Sequence, residues 1–249
     1  MSTDENRRSD EDRSSEENRR SEEARGTEEA RDTEEDRRTE EDQRHRFEVL
    51  ASRVAYTGEV IVLRVDEVRM PGGHGAIREV VEHPGAVAVV AIDDERRVVL
   101  IHQYRHPVGQ RLWELPAGLL DVSEEDPLTA ARRELAEETG LAAGDWSVLV
   151  DVATSPGFMD ESVRVYLATG LSEVGRPGPI IEEEDDLVVR RFPLADVVGM
   201  VLTGEVVNAS TVAGLLAAHA VFAGTVSARP ATAPWPQRPT AWPARQHAR

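Results

Sequence analysis

Three glutamates, Glu134, Glu137 and Glu138, crowd into the stretch ARRELAEETGL at residues 131–141. Carboxylates three and four positions apart share one face of an α-helix. There they repel by about a few tenths of a kcal/mol per pair, and near a carboxyl terminus they also oppose the helix dipole. An isolated Glu-Glu pair is ordinarily a solvated acidic face. Three such groups on one face raise a second reading, a site for a hard divalent cation. Mg²⁺ prefers carboxylate and carbonyl oxygens and would turn the repulsion into ligation.

The residues around the acids decide between these readings. Asp126 is a helix N-cap, Pro127 fits a first turn and Gly140 ends the helix, so the spacing predicts a helix over residues 127–139. Leu128, Ala131 and Leu135 form its apolar stripe, and the three glutamates lie beside that stripe. Upstream, a strand-like LWEL enters a Pro-Ala-Gly turn, and a loop returns to the helix start. That path is expected to bring the Ala117 carbonyl and the helix carboxylates to one point.

The rest of the chain must hold this unit in place. Residues 7–42 are six consecutive charged hexads, from RRSDED to RRTEED, with almost no apolar side chain. They cannot bury a core, so residues 1–46 are read as a disordered acidic arm. From Phe47 the chain alternates apolar and polar residues and is interrupted at Thr57-Gly58, which predicts a pair of strands. GAVAVVAID and RRVVLIHQY read as two buried strands of one sheet. Further strands are expected near residues 147–153, 162–168 and 187–192, and a last apolar helix through STVAGLLAAHAVFAG. Beyond Gly224 the Pro/Arg-rich sequence, residues 225–249, reads as an irregular tail. Strands, one helix, strands and a closing helix imply an α/β or α+β sandwich rather than a doubly wound parallel sheet.

Composition narrows the chemistry further. Cysteine is absent, which removes disulfides, thiolate metal sites and a cysteine nucleophile. A net charge of -18 and the lack of a basic cluster argue against nucleic acid. No apolar run reaches the length of a membrane span, and a cytoplasmic protein is expected. Among seven histidines no spacing suits zinc.

Residues 118–141 resemble the signature of the Nudix hydrolases: a glycine, a spaced glutamate, Arg-Glu, an aliphatic, any residue, Glu-Glu, any residue, glycine and an aliphatic. Those positions are Gly118, Glu125, Arg133, Glu134, Leu135, Glu137, Glu138, Gly140 and Leu141. Six residues rather than the usual five separate Gly118 from Glu125, which makes Glu124 a rival for Glu125. The resemblance implies a Nudix fold over residues 47–224, an α/β/α sandwich with a mixed β-sheet, within which residues 47–84 form an N-terminal strand region that dimerises. It also implies that Glu134, Glu137, Glu138 and the Ala117 carbonyl bind Mg²⁺ or Mn²⁺, while Arg133 and Glu125 brace the loop.

Outside the motif the chain is similar to the ADP-ribose pyrophosphatase branch in its actinobacterial form. Pro156, sixteen residues past Gly140 within SPGFMDE, carries this likeness together with HQYRHPVGQRLWELPAG and REVVEHPGAVAVVAI. The likeness implies hydrolysis of ADP-ribose to AMP and ribose 5-phosphate by a homodimer. Arg78 and Glu79 would reach the adenine end, Arg105 the phosphates or ribose, and Leu119, Phe158 and Glu161 would line the pocket. The proton acceptor would be Glu183, with Glu184 next and Glu138 a rival. Alternatives are a pyrophosphatase for another nucleoside diphosphate sugar and a non-catalytic module that senses ADP-ribose.

Overall fold

The computed structural model describes residues 46–177 and 186–246. The acidic hexads therefore lie outside the described residues. The chain divides into two compact units. The smaller takes in residues up to Val49 with Arg69–His74. Within it Arg69 pairs with Glu48 at 2.6 Å, and the Met70 amide donates to the His74 carbonyl at 2.9 Å.

The larger unit, Leu50–Val68 with Gly75–Arg249, carries the motif. Its centre is a five-stranded mixed sheet in the order β11-β8-β9-β4-β7. These strands are β4 (Ala86–Ala91), β7 (Ala117–Leu119), β8 (Leu141–Ala153), β9 (Ser162–Glu173) and β11 (Arg229–Pro230). β4 runs parallel to β9 and antiparallel to β7. Its sequence AVAVVA is apolar throughout because both of its faces are buried. Val87, Val89 and Ala91 face one core, which receives Ala130, Ala131 and Leu135 of helix α1 (Pro127–Thr139). Ala86, Ala88 and Val90 face the other, with Leu194 and Val197 of α2 (Leu194–Thr203) and Leu215 and Ala218 of α3 (Ala209–Phe222). Helices thus cover both faces of a mixed sheet, the α/β/α sandwich.

α3 approaches the sheet closely at Gly214, where a Cβ would come within 2.8 Å of Val165 and 2.9 Å of Leu115. Asn208 caps this helix by accepting from the Thr211 amide at 3.0 Å. The Thr211 hydroxyl in turn accepts from the Leu115 amide at 3.0 Å, anchoring the strand that leads into Pro116-Ala117-Gly118.

Two more three-stranded sheets belong to the unit, apart from Val49 and Arg69 at the strand ends of the second. One has the order β10-β5-β6, from β5 (Arg97–Arg105), β6 (Gln110–Glu114) and β10 (Val188–Pro193). The other has the order β1-β2-β3, from β1 (Val49–Thr57), β2 (Val62–Arg69) and β3 (Gly75–Glu82). The two apolar runs expected in one sheet therefore separate: β4 lies in the five-stranded sheet and β5 pairs with β6 and β10. The two segments meet at an isolated bridge, Ile92 with Val98, and at the Asp93–Arg97 pair across the tight turn at Arg96, whose φ is 58°. A strand buried on both faces has no polar side to betray its neighbours. α2 was not anticipated from sequence.

The segment after Gly224, expected to be irregular, is built into the domain. β11 pairs with β8, and α4 (Ala241–Gln246) carries the buried Trp242. The anchor is Arg164 on β9, only 3% exposed. It donates to Asp151 at 2.8 and 3.1 Å and to the carbonyls of Ala233 and Pro234 at 2.7 and 2.8 Å. Its guanidinium also lies 4.8 Å from the Trp235 ring. Proline removes donors but not carbonyls, so a Pro-rich segment without regular structure can be held by a buried arginine.

Candidate active site

β7 and α1 meet through two contacts that specify residue type. The Ala117 amide donates to Glu138 Oε2 at 2.9 Å. At Gly118 a Cβ would fall 2.0 Å from the Glu134 carboxyl carbon, so only glycine leaves room for that carboxylate. Glu134 and Glu138 therefore turn towards the Pro-Ala-Gly segment, one turn apart on α1.

The local sequence sets this geometry. The Asp126 carboxylate accepts from the Leu128 and Thr129 amides at 3.0 and 3.2 Å, and Gly140 closes the helix at φ 71°. The loop before the helix absorbs its extra residue at Glu124, which adopts φ 63°. Glu125, and not Glu124, then meets Arg133 in a bidentate pair at 3.0 and 2.9 Å. The same guanidinium donates to Glu134 at 2.7 Å and Glu137 at 2.9 Å. One arginine thus bonds three carboxylates, and they hold its pKa well above the ordinary value.

The electrostatics of the acids are uneven. Burial pushes Glu138 up to about 8, against the opposing Ala117 N–H bond and with the Glu134 charge adding to the rise. Burial also raises Glu134, partly offset by Arg133. Among the described residues no three acidic or histidine side chains converge tightly enough to enclose a cation. The donor chemistry nonetheless suits one: oxygen ligands only, two of them desolvated and mutually repelling, in a cradle that a methyl group would fill.

Glu114 was not singled out from sequence. It is 2% exposed at the end of β6, where it accepts from Arg105 Nε at 3.1 Å, Arg105 Nη2 at 2.8 Å and Gln103 at 3.3 Å. A charge at an inward position of a strand was the available signal. Arg105, read as a phosphate or ribose contact, is thereby held from behind, and both groups are close enough to act on Glu138 electrostatically.

The remaining predicted residues lie on other elements. Leu119 is half-buried at the end of β7, against the core. The 154–161 loop is stitched to β3: the Val81 amide donates to the Phe158 carbonyl at 2.8 Å, and the Asp160 amide donates to the Val81 carbonyl at 3.1 Å. Phe158 itself is 54% exposed. Glu161 accepts from the Thr154 hydroxyl and lies 3.4 Å from His83 Nδ1. Arg78 and Glu79 are exposed on β3, in a different sheet from the motif. Glu183 and Glu184 lie outside the described residues; Asp186, just after them, is bonded by Arg111.

Residues 82–213 match the NUDIX domain. An ADP-ribose pyrophosphatase of Mycobacterium tuberculosis is 55% identical over 202 residues, 81% of this chain and 97% of that protein. One from Bacillus subtilis is 39% identical over 164 residues, 66% of this chain and 88% of the relative. A crystal structure of an ADP compounds hydrolase shares the fold at a TM-score of 0.63 and 22% identity, over 73% of this chain and 96% of that one.

Proposed function

The chain belongs to the Nudix family of hydrolases, and on that premise we propose that it cleaves the pyrophosphate bond of ADP-ribose, giving AMP and ribose 5-phosphate. The observation that carries this reading is the seating of Glu134 and Glu138 against Gly118 and Ala117, which gathers desolvated oxygen donors where a diphosphate can be met. Water adds across the bridge: the attacked phosphorus gains its oxygen, and the other phosphate departs as a monoester.

Glu134, Glu137, Glu138 and the Ala117 carbonyl would hold Mg²⁺, with Mn²⁺ a substitute. When bound, the cation neutralises the diphosphate and lowers the pKa of water. The protein's own groups do the rest. Arg105, braced by Glu114, offers a guanidinium fork to phosphate or ribose oxygens. Arg78 and Glu79 take the adenine end, while Leu119, Phe158 and Glu161 line the pocket. Glu183 accepts the proton, with Glu184 and then Glu138 next in line.

The assembly is a homodimer. Leu50, Val54, Tyr56 and Ile77 of the β1-β2-β3 sheet are exposed, and a second copy would cover them. The site is cytoplasmic and takes a small molecule rather than nucleic acid. Among the described residues no helix is long and apolar enough to cross a membrane.

Product analysis in oxygen-18 water with Mg²⁺ tests the reading. AMP and ribose 5-phosphate should form in equal amounts, with the label in one of them. Faster turnover of ADP-glucose or GDP-mannose than of ADP-ribose would replace the substrate assignment, and no hydrolysis of any of them would favour a sensing module.

A further inference from the structure

Glu82, the last residue of β3, has no exposed surface and lies between two guanidinium groups. Arg64 of β2 reaches its Oε1 and also pairs with Asp66 at 2.9 Å. Arg245 of α4 bonds both carboxylate oxygens, Nη2 to Oε1 at 2.9 Å and Nε to Oε2. The Arg245 bond is the strongest influence holding Glu82 below the usual carboxylate range despite its burial. α4 is itself pinned by Trp242, which is 6% exposed. The charge of Glu82 is therefore half-balanced by a residue far along the chain.

The two neighbours of Glu82 hold the 154–161 loop. Val81 exchanges backbone hydrogen bonds with Phe158 and Asp160, and the His83 amide donates to the Asp160 carboxylate at 2.8 Å. Residues 81 and 83 make these bonds through their backbone groups, whereas Glu82 is held through its side chain. The ion cluster thus fixes this short piece of backbone through one side chain, while the flanking backbone groups grip the loop.

We propose that Arg245 is a positioning residue: by clamping Glu82 it fixes the end of β3 and so holds the 154–161 loop where its side chains meet the substrate. This rests on the reading of Phe158 and Glu161 as pocket residues. It assigns to the C-terminal helix a part in substrate affinity, without any contact to the reacting atoms.

The test uses the full chain carrying Arg245→Ala and, separately, Glu82→Gln, which keeps the side-chain shape and removes the charge. Hydrogen exchange is measured without substrate. The amides of Val81, His83 and Asp160 should exchange about tenfold faster in both variants, with the β4 amides unchanged, as expected of a local opening. KM for ADP-ribose should rise by about fivefold or more with kcat held within about twofold, the pattern of lost ground-state positioning. Unchanged exchange at those three amides overturns the proposal, as does equal acceleration in β4 or a fall in kcat with KM unchanged. The exchange measurement involves no nucleotide, so it remains informative even if ADP-ribose is the wrong substrate.

Discussion

The Glu134 carboxylate occupies the space that a side chain on Gly118 would need: a Cβ there would lie 2.0 Å from the Glu134 carboxyl carbon and 2.6 Å from its Cγ. Gly118→Ala must displace that carboxylate. We expect the variant to fold and to lose about a hundredfold in metal affinity or activity, the scale seen when groups supporting a metal site are disturbed. Mn²⁺ titration calorimetry, with circular dichroism to confirm folding, checks this; unchanged affinity would remove the basis of the site.

Glu138 yields a prediction about pH. Its value rises from 4.5 in the unfolded chain to about 8 in the fold. The folded state therefore keeps a proton that the unfolded chain has lost, so the contribution of this group to stability is full below about pH 4.5 and disappears as pH climbs towards 8. With chelator present, Glu138→Gln should melt higher than the unaltered protein at pH 8 and nearly equally at pH 5, while its hydrolytic activity collapses. Added Mn²⁺ should close the gap, because it binds the deprotonated carboxylate. A Gln variant that melts lower at pH 8 would contradict the assignment.

Arg133 bonds Glu125, Glu134 and Glu137 at once. Removing it with Arg133→Ala leaves three carboxylates facing one another, at a cost of about 2–3 kcal/mol in metal-free protein. Chemical denaturation measures this. If a bound cation takes over part of the neutralisation, saturating Mg²⁺ should narrow the difference between the variant and the unaltered protein.

How much of this was legible beforehand follows the range of each interaction. The bounds of α1 were readable because Asp126, Pro127 and Gly140 act within a turn of where they sit. The glutamate face was readable from helical periodicity alone. The sheet partner of β5 was not, since a strand buried on both faces fits several neighbours. Glu114 escaped notice because its partners come from the adjacent strand, in a register that only the folded sheet fixes. Arg164 and Glu82 escaped because their partners lie 69 and 163 residues away.

The same distances make the C-terminal segment a stability element. Ending the chain at residue 228 strips Arg164 of two carbonyl acceptors and its Trp235 face, and Glu82 of Arg245. A domain of this size should lose about 10 °C or more in Tm if about 3–5 kcal/mol goes with a broken buried charge network. Differential scanning calorimetry decides; a truncated chain that melts with the intact one would show the segment to be dispensable.

Association is tested at β1 and β3. Val54→Asp and Ile77→Asp place charges on the exposed apolar side chains of that sheet. Sedimentation should show a dimer for the unaltered chain and a monomer for the double variant. A monomeric unaltered chain at micromolar concentration would exclude the dimer.

The buried guanidinium of Arg164 and the buried carboxylate of Glu82 have one further consequence, which concerns synthesis. A ribosome makes both residues long before it makes their last partners, the carbonyls of Ala233 and Pro234 and the side chain of Arg245. The nascent chain holds these charges incompletely matched until those partners emerge from the exit tunnel. Final locking of the domain therefore waits until the segment after residue 228 has been made, and until then these two charges lack their last partners.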